Sequence, residues 1–441
     1  MIRQSAPTFS QSKTFQQKSR LLIPGGSHTY AKGDDQFPEN APSFIARGHG
    51  CHVWDADGNE FIEYGMGLRA VSLGHAYPPV VEAAHRQMLL GANFSRPATI
   101  EVECAERLLE LIAPAEMVKF SKDGSTVLSA AVRLARAYTE RDIVAVCADH
   151  PFFSYDDWFI GSTAMAAGIP RAVRDLTVTF RYNDLDSVTS LFEQHRGKIA
   201  CVVMEAARTT EPVEGFLRRV RDLCTAYGTL FVLDEMITGF RWHLGGAQAY
   251  YDIHPDLSTF GKALANGFAL AALLGKREIM ELGGFEHDKE RVFLLSTTHG
   301  AETHALAAAL ETMRIYQEQD VIGRLYRQGL RLASGIQVVI DQHGLADRFR
   351  VMGNPTNLVY ETRDADGNPS QPFRTLFLQE TIIRGVLAPS FVVSFSHSDQ
   401  DIDQTIEVVG EALTIYKRAL EEGIGNYLVG RSVKPAVRRY R

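Results

Sequence analysis

No stretch of this chain approaches the ~20 consecutive apolar residues that a membrane span needs. Residues 1–20 also lack the apolar core of a secretory signal, which points to a soluble, cytoplasmic protein. Cysteine is scarce. The five thiols (Cys51, Cys104, Cys147, Cys201 and Cys224) are odd in number and form no CxxC pair, which excludes a disulfide scaffold and fits buried, reduced side chains. Positive charge is not in excess either: 46 Lys plus Arg stand against 53 Asp plus Glu, a net charge of -7, so nothing overall draws the chain to nucleic acid or to a membrane surface. There is no P-loop, no GxSxG elbow and no HExxH face, His299 and His304 being five residues apart. Gly65-Met-Gly67-Leu-Arg-Ala70 fits a loose dinucleotide pattern, but residues 71–79, with Gly74 and two prolines, do not read as the helix that must follow it. His49, Cys51 and His52 lie close in sequence, and a two-strand hairpin accounts for them as well as zinc does.

What is present is an ordinary globular composition, 45% hydrophobic, over 441 residues, enough for two or three domains. Residues 1–20 read as a polar lead-in, loose or helical. The segment from His52 to Tyr64 reads as strand, Asp-Gly-Asn turn, strand. From about residue 75, helical patterns (80–90, 101–112, 125–138) alternate with short apolar runs (117–120, 143–147, 199–204, 230–233). Continuous rather than alternating apolar runs suit strands covered on both faces, so the expected architecture is α/β with a mainly parallel sheet. After Glu302, helices over 303–318 and 321–340 lead to a smaller α/β unit. That unit has strands near 348–352 and 357–361, a helix near 374–383 and a last helix after Ser398-Asp399. The tail 431–441 holds five basic residues and reads as a surface strap.

Four clusters carry candidate chemistry. Gly124-Ser125-Thr126 opens a helix, where free N–H groups, two hydroxyls and the positive dipole end suit a phosphate; taken alone, an ordinary N-cap explains them better. Asp234-Glu235 ends a buried strand, where ligands of α/β sheets gather and a buried carboxylate needs a ring-nitrogen cation, a metal or an arginine such as Arg241. Lys262 follows a strand-like stretch and precedes a Gly-punctuated loop. A lysine shielded from water there is a Schiff-base candidate, although most lysines are merely solvated. Thr297-Thr298-His299-Gly300 precedes an Ala-rich helix and is a second hydroxyl-rich helix entry.

In this order, with Asp234-Glu-x-x-Thr-Gly-Phe-Arg241 and Phe260-Gly-Lys262, the clusters resemble the class III aminotransferases, nearest the branch that contains glutamate-1-semialdehyde 2,1-aminomutase. The resemblance runs from Ile23-Pro-Gly-Gly26 through Asp55-Ala-Asp-Gly-Asn59 and Gly74-His-Ala-Tyr-Pro78 to Ser396-His397. It implies the type I fold of pyridoxal 5'-phosphate (PLP) enzymes. Residues 76–325 would form the large PLP-binding domain, and 1–75 and 326–441 the small one. It also implies a homodimer with active sites at the subunit interface. On this resemblance Lys262 would carry PLP, Asp234 would pair with its ring nitrogen, and Gly124 and Ser125 would bind its phosphate. Thr298 would reach the neighbouring subunit's phosphate, Phe152 (or Phe153) would cover one ring face, and Met236 the other. Lys32, Arg69 and Glu205 would contact substrate, with His28 and Tyr30 as further candidates.

The departures from the family pattern fall around the substrate. Gly-Thr-Glu-Ala becomes Gly124-Ser-Thr-Val127, Tyr-His-Gly becomes Phe152-Phe-Ser154, Glu-Pro becomes Glu205-Ala206, and the common Gly-Gly-Gly after the lysine becomes Ala263-Leu-Ala-Asn-Gly267. Lys32 stands where the aminomutases carry an arginine, so the two-pronged grip on a substrate carboxylate is lost. The reading that follows is an aminotransferase passing an amino group from a donor such as glutamate to an aldehyde or ketone, with sugar or secondary-metabolite intermediates as the acceptor class that such variants resemble. The alternatives are an aminomutase and, from another class, a non-catalytic scaffold on the same fold.

Overall fold

The computed structural model describes residues 7–436 and residue 438, and these form two compact units. One is built from both chain ends, up to Tyr77 and from Gly323. The other is the continuous stretch Pro78–Ile322.

The terminal unit has three antiparallel strands, β1 (Ile45–His49), β2 (His52–Asp55) and β3 (Glu60–Glu63). The Asp-Gly-Asn turn joins β2 to β3, and the carboxylate of Asp55 ties it by accepting from the N–H groups of Asp57 (3.0 Å) and Asn59 (2.7 Å). This unit also holds the helix Ser10–Leu22, the hairpin of β11 (Phe349–Met352) and β12 (Val359–Thr362), and the helices Gln371–Ile383 and Asp399–Glu422. The short strand β13 (Val386–Leu387) pairs in parallel with β3. The tail runs along the same unit as far as it is described: Lys434 N–H donates to Asp35 O (2.9 Å) and Val433 N–H to the Thr375 hydroxyl (2.9 Å). Residues 1–6 of the lead-in, and 437 and 439–441 of the basic tail, lie outside the described residues. The Gly65–Ala70 stretch is a single distorted turn with Gly67 and Leu68 both in the left-handed region, not the start of a nucleotide-binding helix.

The continuous unit is a seven-stranded sheet flanked by helices. Its strands are β4 (Met117–Ser121), β5 (Ile143–Cys147), β6 (Thr177–Phe180), β7 (Ile199–Met204), β8 (Leu230–Asp234), β9 (Leu257–Phe260) and β10 (Ala271–Gly275), in the spatial order β4-β10-β9-β8-β7-β5-β6. Strands β5 to β9 are mutually parallel; β10 is antiparallel to both β9 and β4, so six strands point one way and one the other. Every residue of β7 and β8 is buried, as expected for apolar runs with helices on both faces. On one face the helix Gly124–Thr139 packs Val127, Leu128, Ala131 and Leu134 against Val144, Val203, Val232 and Leu273. On the other, the helices Leu185–Gln194 and Phe216–Tyr227 press Val188, Phe192, Leu217 and Val220 onto Ala145, Val202 and Phe231. The result is that the carboxyl ends of β4, β5, β7, β8 and β9 share one edge of the sheet, with strand order reversing between β5 and β7. Ligands of open α/β sheets bind at such a reversal.

Candidate active site

Asp234 is the last residue of β8 and sits opposite Thr259 of β9. Its Oδ1 accepts from the N–H of Met236 (2.9 Å) and from the hydroxyl of Thr259 (3.3 Å). Burial pushes its pKa up; the positive charge of Lys262 opposes that, followed by the two hydrogen bonds and Arg208. A carboxylate kept at a strand end among buried neighbours is stable as an anion only beside a cation.

Lys262 comes three residues after Thr259, across the turn at Gly261, with φ at 47°, a left-handed conformation that costs a non-glycine residue about 1–3 kcal/mol. The turn delivers the lysine to the carboxyl edge of the sheet beside Asp234.

Met236 joins the remaining pieces. A Cβ placed on Gly124 would lie 2.9 Å from Met236 Cε, and one placed on Gly261 only 2.3 Å from it. The thioether is therefore wedged between the first residue of the Gly124–Thr139 helix and the residue before the lysine. Clusters that lie 138 residues apart in sequence, Gly124 and Lys262, meet around one side chain. At the helix start, Asp123 caps the turn by accepting from Thr126 N–H (2.9 Å). The loop after β5 is laced to it: Tyr155 N–H donates to Ser125 Oγ (3.2 Å), the Ser154 hydroxyl to Ser125 O (3.3 Å), and Trp158 Nε1 to Ser129 Oγ (2.8 Å). Phe153 is buried in the core under the helix, whereas Phe152 is 49% exposed, touching Phe159 edge-on.

Glu205 directly follows β7 and is buried; its N–H donates to His150 Nδ1 (3.1 Å), and Arg208 Nε stands 3.9 Å from its carboxylate. Burial, and then Arg208, lower the pKa of His150 to about 4, so its imidazole is a neutral acceptor that ties the ends of β5 and β7 together. Glu235 turns away from Asp234 and caps the helix Gly246–Tyr250, accepting from Ala247 N–H (2.7 Å), Gln248 N–H (2.6 Å) and the Thr238 hydroxyl. Its role is structural, and burial pushes its pKa up to about 7. Thr298 is exposed and gives only its carbonyl, to Asn93 Nδ2 (2.8 Å). Lys32 and Arg69 belong to the terminal unit, where Arg69 Nε donates to Asn357 Oδ1 (2.7 Å) and Lys32 closes a short turn, exposed. Thr259, His150 and Arg208 carry no sequence signal of their own; strand register alone places Thr259 beside Asp234.

The description Aminotransferase class-III matches residues 32–413. The chain belongs to the class III aminotransferase family. Enzymes of this family use PLP. Glutamate-1-semialdehyde 2,1-aminomutase of Acetivibrio thermocellus is 33% identical over 421 residues, 91% of this chain and 97% of that protein. Among solved structures, the FumI protein of Sphingopyxis sp., in its PLP internal aldimine form, is 27% identical with a TM-score of 0.83, covering 93% of this chain and 98% of that one. An omega-transaminase from Sphaerobacter thermophilus is 25% identical with a TM-score of 0.84 over the same shares. The large, mainly parallel sheet with its flanking helices is thus the PLP-dependent transferase fold.

The residues on the carboxyl edge fit that cofactor. Gly124 opens a helix whose first N–H groups have no intrahelical partners. Asp234 is a buried anion of the kind a pyridinium nitrogen neutralises, and Lys262 supplies a primary amine beside it.

Proposed function

We propose that this chain is a transaminase that takes an amino group from an amino-acid donor such as glutamate and delivers it to the aldehyde or ketone of a second molecule. The observation that carries the reading is the convergence of Asp234, Lys262 and Gly124 around Met236. When bound, PLP supplies an electron-withdrawing ring that stabilises negative charge at the substrate carbon bearing the amine. Asp234 holds a proton on the ring nitrogen, which keeps that ring electron-poor. Lys262 Nζ would hold the cofactor and, as a general base and acid, would move a proton between the substrate carbon and the cofactor carbon on the far side of the amine nitrogen. The N–H groups of Gly124 and Ser125 bind the phosphate, Met236 supports one ring face, and Phe152 shields the other.

Lys32 favours transfer between molecules over an internal shift. An ammonium is a point charge and does not make the two parallel hydrogen bonds that a guanidinium offers a carboxylate, so the acceptor need not be an amino acid. Within this reading Lys32, Arg69 and Glu205 contact the substrate. The likeness to aminomutases favours the second reading, an internal shift. Single-turnover absorbance with glutamate, followed by screening of carbonyl acceptors, separates the two. Stoichiometric release of a 2-oxo acid supports transfer; product formed with no donor consumed sinks it.

The working form on this reading is a homodimer in which Thr298 reaches the partner's phosphate. Support comes from apolar side chains left in solvent on the helices Pro78–Leu90 and Thr99–Leu111 and the loop between them: Leu89 is 75% exposed and Leu90 73%, with Met88, Phe94 and Val102 also exposed. No helix among the described residues is long and apolar enough to cross a membrane, and a cytoplasmic location is part of this proposal.

A further inference from the structure

In the terminal unit, three different metal-ligating side chains converge. Cys51, in the turn between β1 and β2, His52, the first residue of β2, and Asp401, in the first turn of the helix Asp399–Glu422, each present one donor atom within 4.8 Å of the others. Cys51 Sγ is 3.4 Å from Asp401 Oδ2, and His52 Nε2 is 3.0 Å from Asp401 Oδ1. A tetrahedral zinc ion with bonds of about 2.0–2.3 Å spaces its neighbouring donors about 3.3–3.8 Å apart, so the cluster is already near that size.

The surroundings match a metal site in two further respects. Glu60 Oε1 stands 2.9 Å from His52 Nδ1, so a carboxylate lies beside the ring's second nitrogen, as it does at metal-bound histidines. Asp401 is fixed before any ion arrives, because it accepts from Ser398 N–H (2.8 Å) and from the Ser398 hydroxyl (2.6 Å) in a helix-capping box. His52 and Glu60 line a surface cavity of about 730 Å³, together with Arg384, Asp403 and Glu411.

We propose that Cys51, His52 and Asp401 bind a zinc-class divalent cation, with water as fourth ligand, and that the ion ties the start of β2 to the last long helix. Loading sends the Sγ proton to solvent, together with any proton on the liganding ring nitrogen, and no electron changes hands. A thiolate and an imidazole select zinc over magnesium or calcium, which prefer oxygen donors.

The test is metal content of the PLP-loaded enzyme, dialysed first against EDTA and then against zinc buffered at micromolar free concentration. The expected result is about one zinc per chain in the wild type and in Lys262→Ala, and below about a tenth of that in Cys51→Ser and His52→Ala. Zinc X-ray absorption on the wild type, which needs no variant to fold, should show one sulfur at about 2.3 Å. A wild type that takes up no zinc, a nitrogen-and-oxygen-only spectrum, or equal uptake by Cys51→Ser that keeps its PLP absorbance overturns the proposal.

Discussion

Asp234 and Lys262 make one electrostatic unit at the sheet's edge, and each has its own signature. Replacing Lys262 by alanine should remove the covalently held chromophore and cut turnover by about 10³-fold. Colour and turnover retained in Lys262→Ala would contradict the assignment. Asp234→Asn keeps the size and the Met236 contact but not the charge. It should lower kcat by about 10²-fold while leaving PLP bound, which separates an electronic role from a packing one. Two neutral, fully or nearly fully buried histidines contribute to loss of stability in acid. His150 titrates at about 4 and His397 at about 3, both lowered first by burial from the ordinary 6.5. A pKa depressed in the folded state means that the unfolded chain takes the proton first. Their stabilisation is therefore complete above pH 6.5 and drains away as pH falls toward 4, by about 1.4 kcal/mol per unit per histidine. Urea midpoints measured from pH 7 to 4 should fall steeply, and His397→Gln should flatten that slope. An unchanged slope would show that His397 is not responsible.

At the scale of elements, two backbone approaches hold the site together. Met236 fits between Gly124 and Gly261 only because neither carries a side chain. Gly261→Ala should push the thioether out of place and weaken PLP binding by about 1–3 kcal/mol, and Met236→Ala in the same chain should recover much of the loss. A double variant no better than the single one would refute the wedge. The elements most legible in the sequence were those with strong local signals. The runs Ile143–Cys147 and Ile199–Met204 are strands over those same residues, since a fully apolar five- or six-residue run has few other places to go. The helix Gly124–Thr139 carries an Asp cap before it and an apolar face at a period of 3.6. Strand β6, by contrast, reads as a polar Thr-Val-Thr-Phe, and β10 as an Ala-Leu stretch as suited to helix; the sequence reading assigned neither. Only pairing with β5, β9 and β4 makes them strands, because a ladder partner overrides weak local preference. The same holds for Glu235. Its sequence suggested an ion pair with Arg241, yet its carboxylate goes to the N–H groups of Ala247 and Gln248.

For the whole molecule, the exposed apolar residues on the helices after Tyr77 are the feature to test. Leu89→Asp with Leu90→Asp should give a monomer by sedimentation and lose most activity, since the partner's Thr298 would no longer reach the phosphate; a fully active monomer would remove the shared-site reading. The sequence by itself determined the family, the α/β class and the chemical identities of lysine, aspartate and helix-start glycine, because these depend on residue type and order. It did not determine which side chains meet. Phe152 and Phe153 are adjacent and chemically identical, and only packing under the helix buries one and leaves the other half-exposed. Cys51 and His52 looked like a hairpin until the fold carried Asp401, 350 residues away, to within 3.4 Å of the thiol. Such contacts join distant parts of the chain through strand register and helix packing, and neither is written in any local stretch of residues.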